Sequence, residues 1–563
     1  MDEGNIDDAA DIACGTRTGA VIRTVMALSI ALGLNAGETS QPVVKVSGGI
    51  VQGTSAPPGG AVFKGIPYAQ PPLGNLRWRE PQAVTPWKGV RDATRFSAAC
   101  IQNPFGTDNF LAPLAKMYGN PYAPRRIAMS EDCLYLNVWS PEWPPRSSAA
   151  VMFWIHGGSN LVGSANESEY DGSALARRGV VVVTINYRLG ALGFFSHPEL
   201  TRESPHHASG NYGLLDQIAA LEWVRANIAT FGGDPARVTV FGESAGAIDT
   251  GLLLCSPLSK GLFARAIMQS GPVFLSLRAS PLEKGERFGE KVAEALQASG
   301  AHTIDHLRSL APEAVTTKAI DVTKSAGNPG TVADGWFLRE SPGDIFASGR
   351  QVAADFVIGQ NGREMSAFRV SAESKSSSSG GLDQGASNII KVFYGRSTPV
   401  VLGLYMLDSG LRRTEAADGW LNDVVGACPG MAMASLHART GHHAYAYQFN
   451  REIPGKGQHD LGAFHSLEVP FVFGTLAAWN WLPFEKADYR LSDVLQTYWT
   501  NFARTGNPNS ADLTGWKEFD DGGQSSLEFG KTGQVRLRNR SAPPFCDVNA
   551  TDLVERLREY GGS

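Results

Sequence analysis

With 563 residues, 43% of them hydrophobic and 19% charged, the chain can bury a large core. Its formal net charge of -5 gives no electrostatic reason to expect a nucleic-acid partner. No Pro/Ser-rich linker or charge block divides the chain between Val44 and Val554, and no internal repeat is evident, which predicts one heavily inserted domain over residues 41–563.

Residues 1–40 read differently. Arg17 and Arg23 precede the apolar run 24–34, and small and polar residues follow at Asn35-Ala36-Gly37, the order of a secretory signal. This predicts export to a periplasmic or extracellular location, with a cytosolic leader as the alternative; the run is too short for a comfortable membrane span. Further on, residues 151–155, 180–185 and 238–241 are continuous apolar stretches rich in β-branched or aromatic residues, as expected of strands covered on both faces. Residues 214–231 carry helical periodicity between two of them, and such alternation predicts an α/β fold with a mostly parallel sheet.

The chemistry-bearing residues sit at the ends of these runs. The stretch 151–155 ends in His156-Gly157-Gly158-Ser159-Asn160, a loop able to aim backbone N–H groups at one point, as an oxyanion hole requires. Residues 238–241 lead into Gly242-Glu243-Ser244-Ala245-Gly246, a nucleophile elbow in which Ser244 occupies a tight strand-to-helix turn. Glu364, in Asn361-Gly362-Arg363-Glu364, and His465, in Ala463-Phe464-His465-Ser466, complete the chain order serine, acid, histidine of α/β-hydrolases. Residues 371–387 are polar and Ser/Gly-rich, read as a mobile surface loop or as a gate over the site. His206-His207 and His442-His443 lack accompanying ligand spacing, so no metal and no cofactor are expected.

At these residues, and at Phe63-Lys64-Gly65-Ile66-Pro67-Tyr68-Ala69, Ser130-Glu131-Asp132-Cys133-Leu134-Tyr135, Asn186-Tyr187-Arg188, Gly210-Asn211-Tyr212-Gly213 and Phe231-Gly232-Gly233-Asp234-Pro235, the sequence resembles the type-B carboxylesterase family. That family includes cholinesterases and bacterial p-nitrobenzyl esterases, and the resemblance runs from about Val44 to the C-terminus. It implies an α/β-hydrolase fold with insertions forming a gorge, and a serine esterase using Ser244, His465 and Glu364 on a small-molecule ester. The oxyanion donors would be the N–H groups of Gly158, Ser159 and Ala245. The resemblance also implies that Glu243 adds negative potential beside the histidine, and that Ser270 hydrogen-bonds the triad acid. Two disulfides, Cys100 with Cys133 and Cys428 with Cys546, are implied in the same way; Cys14 would leave with the leader, and Cys255 reads as a buried apolar residue.

The chain departs from the family pattern at Ser159 and Asn160, where a third glycine and an aromatic residue are usual. Two polar side chains there predict hydrogen bonds to a polar acyl group. The loop from Cys100 to Cys133 holds no Trp, which argues against a choline-binding site, and carries Arg125-Arg126 instead. Those arginines suit neutral or anionic esters, including the polycarboxylate esters opened by fumonisin esterases within the family. The acyl-enzyme chemistry is shared by acyltransferases and lipases, and the same fold occurs in adhesion modules that have lost a triad member; the oligomeric state is not readable from the chain.

Overall fold

The computed structural model describes residues 41–103, 106–123, 127–273, 279–298, 300, 302–373, 419, 421–520, 524–539 and 546. Its centre is an 11-stranded sheet. In chain order the strands are β1 (Thr54–Ala56), β2 (Gly60–Pro67), β3 (Tyr135–Ser140), β4 (Ala149–Ile155), β5 (Val181–Ile185), β6 (Gly233–Glu243), β7 (Arg265–Gln269), β8 (Asp355–Asn361), β9 (Ala444–Phe449), β10 (Ser526–Phe529) and β11 (Val535–Arg538). Across the sheet they run β11-β10-β9-β8-β7-β6-β4-β5-β3-β2-β1. The stretch from β5 through β4, β6, β7, β8 and β9 to β10 is parallel, while β3, β2 and β1 at one end and β11 at the other pair antiparallel.

The continuous apolar runs follow from burial on both faces. Successive strand side chains point to opposite faces. Accordingly Val151, Phe153 and Ile155 of β4 join one core cluster, with Val181, Val183, Val238 and Val240, while Met152 and Trp154 join another with Val182 and Phe241. Strand β4 lies in the middle, in register with β5 (Val151 opposite Val181) and with β6 (Val151 opposite Val238). β6 is longer than residues 238–241 predict, because a register shift between Gly233 and Val238 lets the chain pair again upstream.

Five helices matter to the site: α1 (Asp108–Tyr118), α2 (Tyr212–Asn227), α3 (Ala245–Cys255), α4 (Glu364–Glu373) and α5 (Lys486–Thr505). The predicted helix 214–231 is α2 followed by a tighter 3₁₀ turn, Ile228–Phe231, that ends on left-handed Gly232. The Asn186-Tyr187-Arg188 segment is pinned to α2 by a buried ion pair, Arg188 Nε to Asp216 Oδ2 at 2.8 Å and Nη2 to Oδ1 at 2.7 Å. Apart from the end of α4, the loop 371–387 lies outside the described residues, as do residues 1–40. Among the described residues no helix is long and apolar enough to cross a membrane, and no group of His, Cys, Asp and Glu is arranged to hold a metal ion.

Both expected disulfides are formed, Cys100–Cys133 and Cys428–Cys546. Cys255 is a buried free thiol whose pKa burial pushes up, so it is inert packing. The Cys100–Cys133 bridge closes 33 residues of chain, a constraint on the unfolded state that corresponds to about 3–4 kcal/mol in the loop-entropy picture. Replacing both cysteines by serine is expected to lower the melting temperature by several degrees in a calorimetric scan, and an unchanged melt would remove the bridge from the stability account.

Candidate active site

The site is built at the carboxyl ends of adjacent parallel strands. Strand β6 runs into Ser244, whose backbone has φ 56° and ψ -123°, a strained conformation for a residue with a side chain. Strain of this kind costs on the order of 1–3 kcal/mol and persists only where surrounding contacts enforce it. Here the Ser244 N–H donates to Gln269 O of β7 at 2.9 Å, and the Ser244 carbonyl accepts from Ala247 and Ile248 as α3 begins. The flanking glycines are sterically obligatory. A Cβ at Gly242 would lie 2.4 Å from the Gly246 carbonyl, and one at Gly246 would lie 2.1 Å from Ile155 O at the end of β4.

Ser244 and His465 line one cavity of about 240 Å³, together with Gly157, Gly158, Ser159 and Glu243. His465 Nδ1 donates to Glu364 Oε2 at 2.5 Å, which fixes the ring and leaves Nε2 as the nitrogen outside that bond. Glu364 is held in turn: its Oε1 accepts from the Asn361 N–H at 2.6 Å, and its own N–H donates to Asn422 Oδ1 at 2.8 Å. Glu243 Oε1 lies 3.2 Å from His465 Nε2 and accepts from Ser466 Oγ at 2.6 Å. Sequence reasoning missed a further carboxylate, fully buried Glu468, which accepts from Asn361 Nδ2 at 2.5 Å and from Gln269 Nε2 at 3.1 Å. Trp499 Nε1 from α5 orients Gln269 by donating to its Oε1 at 3.0 Å. The available signal was Glu468 lying three residues after His465.

Electrostatics follow from this crowding. Burial alone would lower the His465 pKa, but the carboxylates of Glu243 and Glu364, the Glu364 hydrogen bond and the charge of Glu468 overcome it and push it up to about 9. Burial pushes Glu468 up to about 8, reinforced by Glu243 and Glu364. Glu243 is also raised, by burial first, against the pull of His465 and the Ser466 hydrogen bond.

The loop after β4 holds positive φ at three successive residues. Gly158 has φ 104°, and a Cβ there would meet Val162 O at 2.1 Å, so glycine is required. Ser159 and Asn160, with φ 59° and 57°, hold left-handed backbone without being glycine. Ser159 lines the cavity, but Asn160 corrects the expectation of a polar acyl wall. Its amide turns away, donating from Nδ2 to Asp249 Oδ1 at 3.0 Å and accepting at Oδ1 from Tyr187 Oη at 2.9 Å. Ser270 also departs from expectation. Among the described residues its buried Oγ has no hydrogen-bond partner, and the Glu364 oxygens accept instead from Asn361 and His465. Ala245 starts α3 directly after Ser244, where its N–H belongs to the unpaired first turn. Arg125 and Arg126 lie outside the described residues.

A parallel-centred sheet with a strained serine between strand and helix, a histidine and an acid following in that order, defines an α/β-hydrolase. Residues 40–546 match the model of the carboxylesterase family. The chain is 33% identical to a fatty acyl-CoA hydrolase precursor, medium chain, of Anas platyrhynchos, over 95% of this chain and 98% of that one. It is 35% identical to a fumonisin B1 esterase of Sphingopyxis macrogoltabida, over 82% of each. Among solved structures a PNB esterase superposes with a TM-score of 0.75 at 31% identity, covering 92% of this chain and 99% of that chain. The protein belongs to the carboxylesterase family and is an ester hydrolase.

The three carboxylates around His465 generate a test. The imidazole should titrate above the ordinary histidine value of about 6.5, losing its proton only as the pH rises past that point. Glu243→Gln, which removes the nearest charge to Nε2, should move the transition down. Histidine-labelled NMR reads both shifts; a titration at or below about 6.5, or one unmoved by the substitution, would discard this account of the field.

Proposed function

We propose that Ser244, His465 and Glu364 act as the triad of a carboxylesterase working through an acyl-enzyme. The reading rests above all on one observation: Ser244 and His465 share a cavity in which the His465 ring is oriented by Glu364. His465 Nε2 takes the Ser244 proton as Oγ attacks the ester carbonyl, and Glu364 keeps the tautomer and stabilises the imidazolium. The carbonyl electrons move onto oxygen, where the N–H groups of Gly158, Ser159 and Ala245 receive them. Collapse expels the alcohol, protonated by His465; water then repeats the sequence and frees the acid.

The cavity wall favours a neutral, small or medium ester. Phe110, Leu111, Leu161, Val162, Phe368 and Trp479 supply apolar surface, and about 240 Å³ is below the roughly 300–1,000 Å³ of pockets for drug-sized ligands. Glu167, Glu169 and Glu243 also line it, and their carboxylates weigh against the polyanionic acyl group that Arg125-Arg126 suggested. The substrate class of the fumonisin esterase relative is therefore the less favoured reading. Two disulfides support folding in an oxidising compartment, in line with the secretory character of residues 1–40.

A p-nitrophenyl ester panel from acetate to decanoate, with one carboxylate-bearing ester, tests both parts. Ser244→Ala should lower kcat by at least about 10⁴-fold without loss of fold by circular dichroism. The neutral esters should exceed the carboxylate-bearing one in kcat/KM by tenfold or more. Wild-type turnover in the mutant would end the triad reading, and preference for the charged ester would reverse the substrate reading.

A further inference from the structure

Asp249 is fully buried in α3, one and a half turns beyond Ser244, and the reaction does not use it. Its Oδ1 accepts from Asn160 Nδ2 at 3.0 Å and its Oδ2 from Gln217 Nε2 of α2 at 2.6 Å. Among the described residues no cation pairs with it, and burial pushes its pKa up to about 7. An unpaired buried carboxylate is unfavourable for stability, so its place in the fold calls for a compensating role.

What Asp249 touches supplies the role. Asn160 ends the oxyanion loop and is fixed at three points: Asp249 on its Nδ2, Tyr187 Oη on its Oδ1 at 2.9 Å, and the Gly190 N–H on its carbonyl at 2.7 Å. Tyr187 Oη also lies 2.8 Å from His156 O, so its single proton is shared between two carbonyl oxygens and one phenol ties the first residue of the loop to the last. The Tyr187 ring stacks on His156 with centroids 4.5 Å apart. Between these anchors lie Gly158 and Ser159, whose backbone N–H groups need a fixed aim. Ser159 and Asn160 both occupy left-handed backbone that residues with side chains leave unless held.

Resting on the oxyanion-hole reading above, we infer that Asp249 and Asn160 form a buried polar clamp that positions the oxyanion loop, making Asp249 a positioning residue for the transition state. The clamp acts through the loop backbone and does not touch substrate. Its loss lets Ser159 relax and misdirects the N–H groups, which affects the developing alkoxide and leaves ground-state binding nearly intact.

The test compares Asp249→Ala, Asp249→Asn and Asn160→Gly on a neutral p-nitrophenyl ester and on a trifluoromethyl ketone. The ketone mimics the reaction: Ser244 Oγ adds to the carbonyl carbon, the Oγ proton passes to His465, and the carbonyl pair becomes an alkoxide in the hole. Asp249→Ala should lower kcat at least tenfold with KM changed less than about threefold, and should weaken the ketone by the same factor as kcat/KM. Asn160→Gly, which removes the clamp yet tolerates the left-handed backbone, should show the same parallel loss and remains informative if the alanine variant does not fold. Asp249→Asn should recover most activity, because Gln217 Oε1, unpartnered among the described residues, can accept from the new amide once the Gln217 amide flips. Wild-type kcat in Asp249→Ala or Asn160→Gly would overturn the proposal. So would activity lost without matching loss of ketone affinity, or an asparagine variant as impaired as alanine. Failure of the wild-type protein to bind the ketone would instead indict the underlying oxyanion-hole reading.

Discussion

The close approach of the β6 elbow to the end of β4 is the constraint on which the site depends. Gly246 lies so near Ile155 O that a Cβ would stand 2.1 Å from it. Ile155 is the residue before His156, so the contact that seats Ser244 also seats the start of the loop His156–Asn160. Backbone bonds carry the same alignment across the sheet: Ser244 N–H to Gln269 O of β7, then Ser270 N–H to Gly359 O of β8 at 2.8 Å. Two residues beyond Gly359, Asn361 receives Glu364. Ser244, the loop after β4 and Glu364 therefore leave the sheet from nearby strand ends, where open α/β sheets form their binding crevice.

Around that backbone frame the chain concentrates negative charge on one imidazole. Glu243, Glu364 and Glu468 are all buried, and amides from Asn361 and Gln269 donate to the oxygens of Glu364 and Glu468. The arrangement favours the imidazolium form of His465 and raises its pKa. Base strength and availability of the neutral form oppose each other, and the field sets their balance. Glu468 pushed up to about 8 makes this field adjustable, since a neutral Glu468 draws the imidazole proton less strongly than an ionised one.

Much of this was legible in the chain because the relevant signals are local. Strands buried on both faces read as unbroken apolar runs, and the turn around Ser244 and the loop after β4 are contiguous motifs. Asn160 shows where local reading ends. Its neighbours suggested a substrate wall, but the side chain is set by Asp249, 89 residues away, and by Tyr187 on the chain after β5. Glu468 and Asn361 are separated by 107 residues, so no spacing could have joined them. Ser270 was expected on Glu364 from its motif alone, yet the Glu364 oxygens accept from Asn361 and His465, residues 91 and 195 positions further along the chain from Ser270.

The substitution of Ser159 and Asn160 where glycine and an aromatic residue are usual changes how the loop is made rigid. A glycine reaches left-handed backbone without strain but loses more conformational freedom on ordering. Serine and asparagine begin with fewer accessible states, at the cost of strain that asparagine bears better than most residues. The entropic gain is useful only if the native conformation is enforced, and here the enforcement is polar. A buried amide, a phenol shared between both ends of the loop and an unpaired carboxylate stand where packing alone would otherwise act. Hydrogen bonds fix direction as well as distance, which dispersion does not. On the proposed oxyanion-hole reading, a loop that points N–H groups at a charge present only in the transition state gains most from that directional restraint.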